Sequence, residues 1–196
     1  MTLAVVLSNG RSGSSLVCGI LAKHGLWFGH VKPADERNPK GFYENSAIYN
    51  RASAMYGNMR KGIETARDDG KWQAAFNEVI ERQGYVDGPL MVKHTPAHYK
   101  IWQPLNPIFI TVRRSMEGQI KSRENLAWLI DHDNLQHKEN IMNALEMHKQ
   151  SIRIDSDALV GGDYRQIESV LNRIGIALDP QIVKDFIEPE YWHYGA

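Results

Sequence analysis

Leu3-Ala4-Val5-Val6-Leu7-Ser8-Asn9-Gly10-Arg11-Ser12-Gly13-Ser14-Ser15-Leu16-Val17 is the stretch from which the rest of the chain is read. A short apolar run breaks into a polar turn with two glycines, and an apolar-periodic segment then runs to His24-Gly25. That pattern is a strand, a phosphate loop and a helix. Glycine lets the backbone approach an anion closely, and successive N–H groups at a helix N-terminus supply partial positive charge. Asn9, Gly10, Ser12 and Gly13 belong to this cradle, Ser14 and Ser15 add hydroxyl donors, and Arg11 adds a forked cation suited to phosphate oxygens.

The loop departs from the nucleoside-triphosphatase pattern G-x-x-x-x-G-K-[ST]: Ser14, not lysine, follows Gly13. Beyond the loop, 196 residues predict a single domain over 1–196 with one core. An apolar content of 42% and a charged content of 23% place the chain among globular proteins. Lys+Arg and Asp+Glu are both 23, so neither a nucleic acid nor an acidic membrane is expected as partner, and an anion site must be a local cluster. The one cysteine, Cys18, falls among Leu16, Val17, Ile20 and Leu21 and reads as a buried thiol. No signal peptide or membrane span is expected, and the cytoplasm is the default compartment.

Further strands are expected at Leu90–Lys93, Ile108–Val112 and Ile152–Ile154. Helices are expected over Ala47–Tyr56, around Trp72–Ile80, from near Met116, over Leu126–Lys149 with a break near Asp131–Asn134, and over Tyr164–Ile174 and Pro180–Phe186. Residues 57–70 read as a surface loop. Alternating strands and helices imply an α/β fold of three layers, a central parallel sheet flanked by helices, P-loop nucleotide-binding-like. Ligands in such sheets sit at the carboxyl ends of the strands. Three strand ends carry chemistry: Arg11 with Ser14 and Ser15, Lys93-His94, and Arg113-Arg114.

Assembled in order, these residues resemble the sulfotransferase family that uses 3′-phosphoadenylyl sulfate (PAPS), most closely its bacterial and phage branch. Gly10-Arg11-Ser12-Gly13-Ser14-Ser15-Leu16 is similar to that branch's 5′-phosphosulfate loop, G-x-R-S-G-T-[ST]-L. Lys93-His94-Thr95-Pro96 is similar to its K-x-P segment. Phe109–Arg114 with Ser122 resembles the strand–Arg…Ser element that grips the 3′-phosphate, with Arg114 fitting the spacing and Arg113 open. Asp155–Leu159, Arg173–Ile176 and Phe186–Pro189 resemble its C-terminal part. Departures exist. The animal cytosolic members carry lysine at Arg11 and a stacking tryptophan at Leu16, and Asp155 replaces the tyrosine of Y-E-D-L.

The resemblance implies sulfuryl transfer from PAPS, leaving PAP, to a hydroxyl or amine of a small-molecule, glycan or lipid acceptor, without a metal. By analogy with phosphoryl transfer, such chemistry needs positioning and fixed cations. Arg11 and Lys93 are the candidates, with Arg114 and Ser122 on the 3′-phosphate. Glu44 and His94 compete as general base. A non-catalytic phosphonucleotide-binding module and a small P-loop kinase are the alternatives. His94 and His98 are four apart with Pro96 between them, a poor start for a zinc site. Trp72 and Phe76 share a helical stripe with Val79 and Ile80 and read as core.

Overall fold

The computed structural model describes residues 1–36, 38–56, 70–124 and 131–188. All but the last residue of the loop expected at 57–70, and the first residues of the expected helix at 126–130, lie outside them. Four parallel strands, β1 (Thr2–Ser8), β2 (Pro89–His94), β3 (Ile108–Arg113) and β4 (Ser151–Asp155), form a sheet in the order β2-β1-β3-β4. Leu7 lies opposite His94, Ser8 opposite Val112, and Arg113 opposite Asp155. The carboxyl ends therefore share one edge. After β1 the chain first adds a strand on one side and later returns to add one on the other. The loop after β1 sits at this switch of direction, where open parallel sheets leave a crevice for ligands.

Side chains alternate across a strand, and β1 shows both faces buried. Ala4 and Val6 join Val17, Ile20 and Leu21 of α1 (Ser14–Lys23) and Val170 and Leu171 of α8 (Arg165–Ile174). Val183 and Phe186 of α9 (Pro180–Phe186) close that layer. Leu3, Val5 and Leu7 face the other way. There they meet Ile48 of α2 (Ser46–Tyr56), Trp72 and Phe76 of α3 (Lys71–Arg82), Trp102 of α4 (Tyr99–Trp102) and Leu145 of α6 (His132–Met147). This two-sided burial explains why the strands read as continuous apolar runs. Each such Val, Leu or Ile side chain contributes about 1.5–3 kcal/mol on burial. Trp72 and Phe76 are core, as their stripe implies.

The break expected near Asp131 is a helix start: Asp131 caps α6 by accepting from the Asn134 N–H at 3.0 Å. A short helix, α7 (Ser156–Val160), was not expected. Asp155 caps it, accepting from the N–H groups of Asp157 and Ala158. α5 (Met116–Glu124) follows β3.

Helices α1 and α9 pack closely where α1 carries Gly19. A Cβ there would lie 2.1 Å from Phe186 Cζ and 3.0 Å from the Tyr43 hydroxyl. Gly19→Ala is expected to cost about 1–3 kcal/mol in overpacking, more than the ~1 kcal/mol that alanine gains in helix propensity. A lower midpoint in urea unfolding would show it.

Candidate functional site

The phosphate loop is bent by Arg11 at φ 71 and Gly13 at φ 82. Left-handed backbone is easy for glycine and strained for arginine. Such strain persists where the surroundings over-determine the conformation, and here four side chains from three distant helices pin the loop. Asn9 Nδ2 donates to Glu139 of α6. The Gly10 carbonyl accepts from Arg123 at 3.1 Å. Arg11 Nε donates to Ser122 Oγ at 2.8 Å. The Ser12 carbonyl accepts from Ser156 Oγ at 2.8 Å. Gly13 is the N-cap of α1 and supplies no side-chain cap. The first N–H groups of the helix thus have no side-chain cap.

A cleft of about 740 Å³ opens over this loop, within the size range of small-molecule sites. Arg11, Arg114 and Ser122 line one part of it, and Ser15, Lys93 and Glu44 another. Burial lowers the Arg11 guanidinium from its ordinary value, and the like charges of Arg114 and Arg123 lower it further. Positive charge is therefore concentrated beside the loop. Burial also lowers Arg114, offset in part by Asp157 at 3.5 Å from its Nε. Ser122, which the sequence reading places with Arg114 on the 3′-phosphate, bonds Arg11. Arg11 therefore reaches across to the expected 3′-phosphate clamp.

Lys93 Nζ meets three acceptors: Phe42 O at 2.9 Å, Ser15 Oγ at 3.0 Å and Glu44 Oε1 at 3.2 Å. They match the three hydrogens of an ammonium group. Glu44 stands just before Asn45, whose side chain accepts from Ile48 N at 3.3 Å and bonds Phe28 O and Gln83. The start of α2 is thereby locked, and Glu44 is held at the cleft.

Alternation along β2 separates Lys93 from His94. Lys93 lies on the α1 face of β2. His94 lies on the opposite face, buried, with His98 Nδ1 at 2.6 Å and Trp102 Nε1 at 3.4 Å from its Nδ1. Indole nitrogen only donates, so His94 Nδ1 accepts. Burial, with His98 adding, holds His94 well below its usual value and hence neutral. This network assigns its one hydrogen to Nε2. Both ring nitrogens of His94 lie against His98, at 2.6 and 3.4 Å from its Nδ1, and His94 Nδ1, the one left to take a proton, is met by Trp102.

Arg113, left open beside Arg114 by the sequence, is the last residue of β3. It lies on the α6 face of β3, where its guanidinium meets Glu139, Glu146 at 2.8 Å and Asn143 at 2.8 Å. It does not line the cleft; Arg114, one residue on, does. The side chains of Asn9 and Ser12 are buried and also point away from the cleft, so those residues serve the loop's shape rather than contact from above.

Some cleft residues were not foreseen. Arg123 anchors Gly10, while Lys138, Tyr49 and the Lys40 strap line the walls; Lys40 bonds the Phe186 carbonyl and Glu188. All come from sequence-distant segments without a motif. Apolar lining comes from Leu16, Val160 and Ile187. Cys18 is fully buried and its thiol is pushed up to about 12, so it is inert. Among the described residues, no group of three metal-ligating side chains occurs, and no helix is long and apolar enough to cross a membrane.

No family model matches the chain, and no curated protein does. Solved structures do. One, described as an unliganded sugar kinase from Janibacter sp. HTCC2649, is 18% identical, with 93% of this chain and 98% of that one covered and a TM-score of 0.48. Another, TT1252 from Thermus thermophilus, is 15% identical, with 88% and 95% covered and a TM-score of 0.46. At such values neither carries its activity to this chain. The fold itself is a P-loop-like α/β fold, on its parallel sheet and its loop.

Burial depresses both imidazoles of the His94–His98 pair, His98 down to about 3. The unfolded chain therefore takes up protons below about pH 6.5 that the folded one refuses. Stability is full above that pH and falls as pH drops toward 3. The expected slope approaches about 1.4 kcal/mol per pH unit for each histidine. Denaturation midpoints of the protein and of His98→Gln, compared between pH 7 and 5, read the His98 share.

Proposed function

We propose that this chain is a PAPS-dependent sulfotransferase. The observation that carries the reading is the pair of cationic points flanking one phosphate loop, Arg11–Ser122–Arg114 on one side and Lys93–Ser15 on the other. A donor with two separated phosphate groups is the ligand chemistry that such a pair fits. The 5′-phosphosulfate lies on the loop and the first N–H groups of α1; the 3′-phosphate lies at Arg114. The adenine rests on the apolar lining of Leu16, Val160 and Ile187.

In the transfer, the acceptor hydroxyl oxygen bonds to sulfur while the bond from sulfur to the bridging phosphate oxygen breaks. Glu44 takes the acceptor proton, and the departing phosphate keeps the electron pair. Lys93 and Arg11 meet the charge on that phosphate, the kind of fixed electrostatic stabilisation on which such transfers depend. Lys93 exchanges one of its present acceptors for the donor oxygen.

A small P-loop kinase is the second reading. Ser15 occupies the hydroxyl position of the G-K-[ST] pattern, and Lys93 Nζ, 3.0 Å away, brings a lysine to a loop that lacks its own. One experiment separates the readings. PAP should raise the thermal midpoint without metal, and labelled PAPS should transfer sulfate to an acceptor panel. Stabilisation by Mg²⁺-ATP with none by millimolar PAP would overturn the sulfotransferase reading in favour of the kinase. PAP binding without transfer to any acceptor would leave a binding module.

A further inference from the structure

The cleft has a second half, on the β2 side of the loop, that the donor does not need. It is bounded by the first turn of α2, the end of β2 and the segment before Glu44. Its charges balance. Lys93 is matched by Glu44 at 3.2 Å and Lys40 by Glu188 at 2.9 Å, while Glu36 and Lys138 add one charge of each sign. A charged acceptor would find no excess of the opposite sign there.

What remains is hydrogen-bonding capacity around a flat ring. Thr95 Oγ1 is buried at the cleft with no hydrogen-bond partner among the described residues. Leaving such a hydroxyl unpaired costs about 1–3 kcal/mol, which a ligand hydroxyl would recover. Asn50 offers an amide, both donor and acceptor. Tyr49 lies beside them with its ring centroid 5.7 Å from both His94 and His98, 46% of the residue exposed. The imidazoles hold the phenol ring in place as an exposed aromatic platform.

We infer that this half binds a neutral, polyhydroxylated ring, a saccharide laid against Tyr49, with one hydroxyl on Thr95 and the reacting hydroxyl at Glu44. Rings with alternating polar edges and C–H faces satisfy an aromatic platform and a set of mixed donors and acceptors together. A phenol or aliphatic amine would leave Thr95 and Asn50 unpaired. The inference rests on the group-transfer reading for its reacting hydroxyl, but the binding can be tested apart from it.

The probes are maltose, cellobiose and lactose against p-nitrophenol and tyramine, followed by saturation-transfer NMR with and without PAP. At least one disaccharide is expected to bind. Tyr49→Ala and Thr95→Val should each weaken it about tenfold or more, Tyr49→Phe should restore it, and the PAP thermal shift should stay unchanged in all three. In turnover the same variants should raise the KM for saccharide and leave kcat nearly constant. Binding of the phenol or amine in place of the sugars, or sugar binding indifferent to both substitutions, overturns the inference while leaving PAP recognition standing. Failure of PAP to bind overturns the sulfotransferase reading instead, and the sugar signal still decides this one.

Discussion

Arg11→Ala is expected to erase almost all of the thermal stabilisation conferred by PAP. At a ligand concentration about 100 times Kd, binding adds about 2.7 kcal/mol. For a chain of this size that is roughly a 5–10 °C rise in midpoint. Losing a charged hydrogen-bond donor costs about 1.5–3 kcal/mol, or roughly 10–150-fold in affinity. A hundredfold loss leaves ligand near its Kd and a residual of about 0.4 kcal/mol, roughly 1 °C. Arg114→Ala should behave alike. Arg11→Gly sharpens the result, because glycine removes the charge and relieves the strained φ of 71. Its unliganded midpoint should hold while the PAP shift disappears. Arg113→Ala should do the reverse. It strips two mostly buried carboxylates, Glu139 and Glu146, of their cation, at about 3–5 kcal/mol of folding stability. A midpoint that falls in Arg113→Ala with the PAP increment preserved would place the phosphate contact at Arg114. Loss of the increment in Arg113→Ala but not in Arg114→Ala would refute the assignment.

Glu44→Gln is expected to lower the rate of sulfate transfer by about 10²–10⁴-fold, the usual worth of a positioned general base, with PAP binding unchanged. Glutamine keeps the size and the contact to Lys93 but cannot take a proton. His94→Gln should lose far less. The pH–rate profile adds a second readout. A base at His94 would require an imidazole that gains a proton near neutrality, whereas burial holds this one neutral well below that range. No limb near pH 6–7 attributable to His94 is expected, and the profiles of the parent and of His94→Gln should have the same shape there. A Glu44→Gln variant with full turnover would remove Glu44 from the reaction.

Much of the fold was readable because its signals are local. The apolar runs of β1 and β3, the glycines of the loop and the stripe of Trp72, Phe76 and Ile80 each lie within one turn or one strand of chain. So was the order of chemistry along the strand ends. α7 escaped because five residues are too few for periodicity, although Asp155, which caps it, stands in plain view. Glu44 was visible as a candidate, but its contact with Lys93, 49 residues on, had no local sign.

The sequence by itself determined the strand–loop–helix at residues 3–17, the alternating α/β plan, and the fact that Lys93 and His94, neighbours on one strand, must face opposite sides of a sheet. Side-chain alternation with period two guarantees that division. Only the tertiary structure decided which side holds the cleft. It lies where Ser15, Lys93, Arg114 and Ser122 converge over the loop, while α6 supplies carboxylates to Arg113, and the turn at Pro96–His98 together with α4 buries His94. The physical reason is range. A face is fixed by neighbours in the chain, but a site is fixed by the packing of segments far apart in it.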